Sequence, residues 1–149
     1  MDNQEKLIKH LNDLLTKNYD AEAGYKLAAE KVENKNLRGY LESKAQNRYD
    51  FGHELKEEIK KLGGTPNKGT SIQGNLHRAW LGLKDALTKG DKAIYEEAVR
   101  GEQTFVDEYE EVLKDREHLP QSVVELVQEQ HNMAKSSLNE IKALGEGIS

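Results

Sequence analysis

The sequence predicts an all-α bundle of four long helices in up-down-down-up order, with an extra helix in the long crossover between the second and third bundle helices. Three observations predict it. Apolar residues recur at steps of three and four along extended stretches, the spacing of one helix face. The two prolines, Pro66 and Pro120, fall outside those stretches. Four of the stretches run to about 24–30 residues, or about 36–45 Å at the helical rise, whereas the one lying between loops runs to about 17. A short third element can carry the chain back along the bundle, so that the next long helix runs parallel to the second.

The first helix is expected from about Asp2 to Val32, along the stripe Ile8, Leu11, Leu15, Asn18, Glu22, Tyr25, Ala29 and Val32, and ends in the polar turn Glu33-Asn34-Lys35-Asn36. The second follows Leu37, Leu41, Lys44, Arg48, Phe51, Leu55, Ile59 and Leu62 and stops at Gly63-Gly64, where glycine supplies a left-handed cap. Ser71 is placed to cap the third, with Ile72, Leu76, Trp80, Leu83 and Leu87 on one face and Gly90 at its end. Asp91 is read as the cap of the fourth, whose face is Ile94, Ala98, Gly101, Glu102, Phe105, Tyr109 and Val112. Leu119-Pro120-Gln121-Ser122 opens the last helix, with Val124, Val127, Gln130, His131, Ala134, Leu138 and Ile141 inward, and Gly145-Glu146-Gly147 closes it. A single domain over residues 1–149 is expected.

Composition removes several function classes. Without cysteine there is no disulfide framework, thiolate zinc site or cysteine nucleophile. Charged residues make up 33% of the chain with a net charge of −5, and the two signs interleave along the helices, which argues for a solvated helical surface and against a nucleic-acid footprint. Met1-Asp2-Asn3-Gln4-Glu5 lacks the basic and apolar regions of a signal peptide, and no apolar run approaches the roughly 18 residues of a membrane span, so a cytoplasmic location without membrane contact is expected. No glycine run has phosphate-loop spacing, and no Ser-His-Asp set can be assembled.

The one hint of chemistry is that the core stripes turn polar near their middles. A buried polar group must be paired or bind something, since leaving it unsatisfied costs about 1–3 kcal/mol, and more for a charge. Pairing the helices across turns near Asn34 and Glu117 puts Arg48 within a turn of Glu22, and His131 level with Glu102. The expectation is a buried, hydrogen-bonded and ion-paired layer of Asn18, Glu22, Arg48, Glu102, Gln130 and His131, with no catalytic residue and no cofactor.

The residues Ala23-Gly24-Tyr25 with Ala28-Ala29-Glu30, Leu62-Gly63-Gly64-Thr65-Pro66, His77-Arg78-Ala79-Trp80, Arg100-Gly101-Glu102 and the following Tyr109 resemble an uncharacterised bacterial family of ferritin-like four-helix-bundle proteins, a domain of unknown function. The resemblance spans nearly the whole chain and implies a ferritin-like fold, with no reaction or cofactor attached. Metal-binding members of the wider fold hold two ions with one Glu from each of two helices and Glu-x-x-His from each of the other two. Against that template Glu22 and Glu102 are single carboxylates, and His131 follows Gln128 where a carboxylate would stand. Asp50-Phe51-Gly52-His53 has the spacing of the remaining pair but lies about 160° away from the inward Arg48 face. The alternative to the ion-paired layer is therefore iron or manganese at Glu22, Glu102 and His131, for iron oxidation or storage.

Other candidates carry blander readings. His77 and Trp80 sit one turn apart on the crossover helix, where a small-molecule pocket competes with plain core cover. His10 and His118 are expected in solvent. Tyr19, Tyr25, Tyr40, Tyr95 and Tyr109 read as core-edge packing. Gly24, Gly39, Gly52, Gly82 and Gly101 inside helical runs suggest close helix approach or a ligand. Trp80, Leu81, Leu83 and Leu87 present more apolar width than one stripe buries, so a two-fold homodimer through the third helix is expected. The favoured function is a non-enzymatic structural, interaction or stress-related role, with a metalloprotein or a small-ligand binder as alternatives.

Overall fold

The computed structural model describes residues 2–68 and 82–148. Among them all regular structure is helical: α1 Asn3–Lys31, α2 Lys35–Lys61, α3 Leu83–Lys89, α4 Asp91–Leu113 and α5 Gln121–Leu144, with single 3-10 turns at Arg116–His118 and Gly145–Gly147. The expected Ser71 cap and the positions Ile72, Leu76, His77, Trp80 and Leu81 lie outside the described residues.

Cross-helix contacts fix the order. Gln4 at the start of α1 donates to the Leu62 carbonyl at the end of α2 (2.5 Å), so α1 and α2 are antiparallel. α1 is also antiparallel to α4, because Lys17 meets Glu108 at 2.6 Å while the α1–α2 turn meets Asp91. Tyr40 reaches Ser137 and Ser122 reaches Glu58, which makes α2 and α5 antiparallel. Hence α2 and α4 run parallel, the up-down-down-up arrangement, and the segment between them must traverse the length of the bundle.

That segment leaves α2 under tight local control. Gly63 has φ +85°, and the amides of Gly63 and Gly64 bond to the carbonyls of Lys60 and Ile59, the paired bonds of a Schellman cap. A Cβ at Gly64 would sit 2.7 Å from Ile8, so close approach as well as cap geometry calls for glycine there. The Asn12 amide then receives the Asn67 N–H and donates to the Thr65 carbonyl, and Tyr19 donates to Asn67, which ties the loop to α1.

Three local expectations differ. Asp91 is the first residue of α4 and does not cap it; its carboxylate accepts the backbone N–H groups of Glu33 (2.9 Å) and Asn34 (2.7 Å). It thus satisfies the turn between α1 and α2, while Asn34 caps α2 through the Leu37 amide. On α5 Val123 is the buried residue in place of Val124, one position earlier. On α1 burial spreads beyond one stripe, to Leu7, Leu14, Asp20, Ala21, Gly24 and Ala28, because α1 packs against α2, α4 and α3 together.

Asp91→Ala removes the acceptor shared by two turn amides and should lower unfolding free energy by on the order of 1–2 kcal/mol. Asp85→Ala, which breaks only the exposed pair with Lys89, should change it by less than about 0.5 kcal/mol. Urea unfolding of the two variants checks the contrast.

Candidate functional site

The centre of the bundle holds two polar strata. In the first, Arg48 of α2 places Nη2 at 2.5 and 2.6 Å from the two oxygens of Glu102 on α4, and neither side chain has any exposed surface. Tyr25 of α1 donates to Glu102 Oε1, and Arg48 Nη1 donates to Asn47 Oδ1. Phe51 and Phe105 each hold a ring centroid 5.1 Å from the guanidinium carbon, and Tyr25 lies at 6.0 Å. The cation is thus matched by one buried carboxylate and by aromatic faces from three helices.

The second stratum lies two helical turns, about 10 Å, along the bundle. Asn18 donates to Tyr109 (3.0 Å), Tyr109 donates to Gln130 Oε1 (2.8 Å), and the Gln130 amide donates to Glu54 (3.0 Å) and to the Phe51 carbonyl (3.2 Å). Four helices therefore meet through a chain of hydrogen bonds between neutral side chains, whose last link is accepted by an exposed carboxylate.

The six residues expected in one layer separate accordingly. Asn18, Arg48, Glu102 and Gln130 are buried in these strata. Glu22 is only half-buried and pairs with Lys26 at 2.7 Å, so it is not the partner of Arg48. The stripe that selected Glu22 steps from Asn18 by four, but the inward face at that level passes through Ala21 and Gly24. His131 is buried, yet its Nε2 lies 2.9 Å from Glu110, about two turns beyond Glu102. Glu22, Glu102 and His131 therefore do not converge. Among the described residues no group of three or more His, Cys, Asp or Glu is placed to hold a metal ion. His53 and Asp50 are exposed, with His53 edge-on against Tyr49.

Sequence reasoning set Tyr25 and Tyr109 on inward stripes but missed their hydrogen-bonding role, and it missed Asp20. Tyr25 and Tyr109 have no exposed surface and are hydrogen-bonding members of the two strata, where core-edge packing was expected. Tyr40 is buried with its hydroxyl on the Ser137 carbonyl. The available signal was their spacing, seven residues from Asn18 to Tyr25 and from Glu102 to Tyr109. Asp20, also fully buried, lies about 200° from Asn18 around α1 and so off the stripe.

Burial pulls the Arg48 guanidinium down, but Glu102 outweighs it and holds the group above its ordinary value. Burial, with Glu102 adding to it, raises the hydroxyls of Tyr25 and Tyr40 well above the usual tyrosine range. Tyr109 is pushed up to about 12, chiefly by burial, with Asn18 pulling the other way. A phenol whose folded value is raised favours the neutral form in the fold. Its contribution is full below pH of about 10 and is lost as pH climbs toward 12, by about 3 kcal/mol for Tyr109 alone.

Arg48→Leu should cost on the order of 3–5 kcal/mol by stranding a buried carboxylate, and Arg48→Leu with Glu102→Leu should recover most of it. Arg48→Leu combined with Glu22→Gln should simply add. Thermal and urea unfolding of these variants measure the cycle. In alkali, stability should fall as pH rises above about 10, with buried tyrosinate appearing only as helical signal is lost. Complete tyrosinate formation in a still-helical protein would contradict the buried phenols.

Residues 6–115 match the family described as a domain of unknown function, DUF2383. No curated protein sequence matches the chain. In structure the chain is similar to a dodecameric thioferritin, the bacterioferritin-related protein of Bacteroides fragilis, with a TM-score of 0.82 and 16% identity over 95% of this chain and 84% of that one. It is similar to a Dps1 variant of Mycobacterium smegmatis, with a TM-score of 0.77 and 15% identity over 97% and 99% of the two chains. Ferritin-like, diiron-carboxylate proteins of Bacillus anthracis align with a TM-score of 0.69 and 24% identity over 98% of each chain. At such identities the likeness is one of fold. The chain belongs to the DUF2383 family, and its fold is the ferritin-like helical bundle.

Proposed function

We propose that this protein is a non-enzymatic, cytoplasmic ferritin-like bundle in which arginine supplies the central positive charge, and that it works through association with protein surfaces and not through metal chemistry at its core. The observation that carries the reading is the engagement of both Glu102 oxygens by Arg48 Nη2, at 2.5 and 2.6 Å, with neither side chain exposed. A divalent ion bound to Glu102 would have to displace a buried guanidinium or sit against it. Like charges about 4 Å apart repel by about 4 kcal/mol per unit pair even at an effective dielectric of 20.

The remaining donors support the same reading. Glu22 is held by Lys26 and His131 by Glu110, so two of the three alternative ligands are turned to other partners. The residues present do not fit a pair of ions. The Bacteroides fragilis neighbour is described as a dodecamer, which supports self-association as a property of this chain. The homodimer expected through the third helix rests on Trp80, Leu81, Leu83 and Leu87; Trp80 and Leu81 lie outside the described residues, Leu83 is buried and Leu87 is half-buried.

Metal analysis of protein purified without a histidine tag from iron- and manganese-supplemented cells tests the reading. The expected result is far less than one iron or manganese per chain. Stoichiometric metal that disappears in Glu102→Gln would replace it with a di-metal carboxylate protein for iron oxidation or storage.

A further inference from the structure

Between the two strata lie two buried polar atoms of complementary kind, a donor at Arg48 and an acceptor at Asn18. We propose that Arg48 Nε and Asn18 Oδ1 hold a resident water molecule that joins the strata. The inference concerns the core and stands whichever surface the protein uses.

Asn18 has no exposed surface and Arg48 is 1% exposed, and neither atom is met by a protein group among the described residues. Their neighbours fix what each can do. The Asn18 amide nitrogen donates to the Leu14 carbonyl (2.8 Å) and to Tyr109 (3.0 Å), and turning the amide over would set its oxygen against the Leu14 carbonyl. Oδ1 is therefore an acceptor left over. Arg48 Nη2 is engaged by Glu102 and Nη1 by Asn47, so Nε–H is a donor left over.

Helix register brings the two atoms to one interval. Gln4 on the Leu62 carbonyl and Leu15 beside Gly52 align α1 with α2 so that Asn18 stands level with Arg48. From that level the Arg48 side chain leans toward the start of α2, as helical side chains do, and reaches Glu102 beside Tyr25. Nε belongs to the stem of that reach, so it lies between the stratum of Asn18 and the stratum of Glu102. The Arg48 charge is also felt at the Tyr109 hydroxyl, to which Asn18 donates.

Chemistry selects the occupant. A cation is repelled by the guanidinium, and an anion meets a carbonyl oxygen where it needs a second donor. A neutral molecule that accepts from Nε–H and donates to Oδ1 satisfies both atoms, and water is the molecule of that kind small enough for a packed core.

Nuclear magnetic resonance of the full chain in water tests the proposal. The Arg48 Hε proton should show cross-peaks to the water signal whose signs are opposite in laboratory-frame and rotating-frame experiments, the mark of dipolar contact with a long-held water and not of chemical exchange. Asn18→Leu should abolish the contact, whereas Asp85→Ala, on the exposed face of α3, should retain it. If Asn18→Leu does not fold, the wild-type cross-peaks carry the test. A wild-type Hε without dipolar contact to water overturns the proposal. So does a scalar coupling across a direct hydrogen bond from Nε to Asn18, or a water contact undiminished in folded Asn18→Leu.

Discussion

The ion pair between Arg48 and Glu102 is the constraint around which the middle of the bundle is arranged. A guanidinium with no exposed surface cannot be solvated, so α4 must bring a carboxylate to it and the surrounding helices must bring aromatic faces. That requirement places α2 and α4 in a fixed axial register. α1 is keyed to the same point because Tyr25 donates to the same carboxylate. Hydrophobic stripes alone tolerate slippage along a bundle; one buried pair with a third donor does not.

The second stratum repeats the logic with uncharged side chains in its buried part and a carboxylate only at its exposed end. Asn18, Tyr109 and Gln130 link α1, α4 and α5, and Gln130 also reaches the Phe51 carbonyl and Glu54 on α2. Two polar cross-sections about two turns apart define both the axial position and the rotation of α1, α2 and α4, and the second of them ties in α5 through Gln130. Seen this way, the polar centres of the stripes are the part of the core that specifies one arrangement among the many that apolar stripes would allow. In the proposed function the same centre carries no metal because its charge is already balanced from within.

Much of the fold was legible. Helix lengths and the exclusion of Pro66 and Pro120 from periodic stretches led to the helices, and the short third element led to the parallel α2 and α4. The Gly63-Gly64 cap was readable because a left-handed residue followed by a tight contact is a demand that glycine meets. The candidate site was legible in part: Asn18, Arg48, Glu102 and Gln130 lie in the two strata as buried polar residues, whereas Glu22 and His131 pair elsewhere. Arg48 and Glu102 were both placed inward, but matching residues across turns by counting gave Arg48 to Glu22. A helix in contact with three neighbours has no single inward face, and Ala21 and Gly24 took the position assigned to Glu22. His131 slipped in the same way, because the turn after α4 includes an extra 3-10 segment at Arg116–His118 that counting does not see. The tyrosines escaped because a phenol reads as packing until an acceptor is known to lie opposite it.

The central claim is that a buried arginine occupies the charge centre of this bundle. Nitrogen-detected NMR of the Arg48 guanidinium, with manganese(II) added in excess, reads it directly. The account predicts separately resolved, slowly exchanging Nη protons, reflecting a guanidinium locked on Glu102, with positions and linewidths unchanged by manganese. Averaged signals from a freely rotating side chain would contradict it, as would selective paramagnetic broadening of Arg48 that is lost in Glu102→Gln.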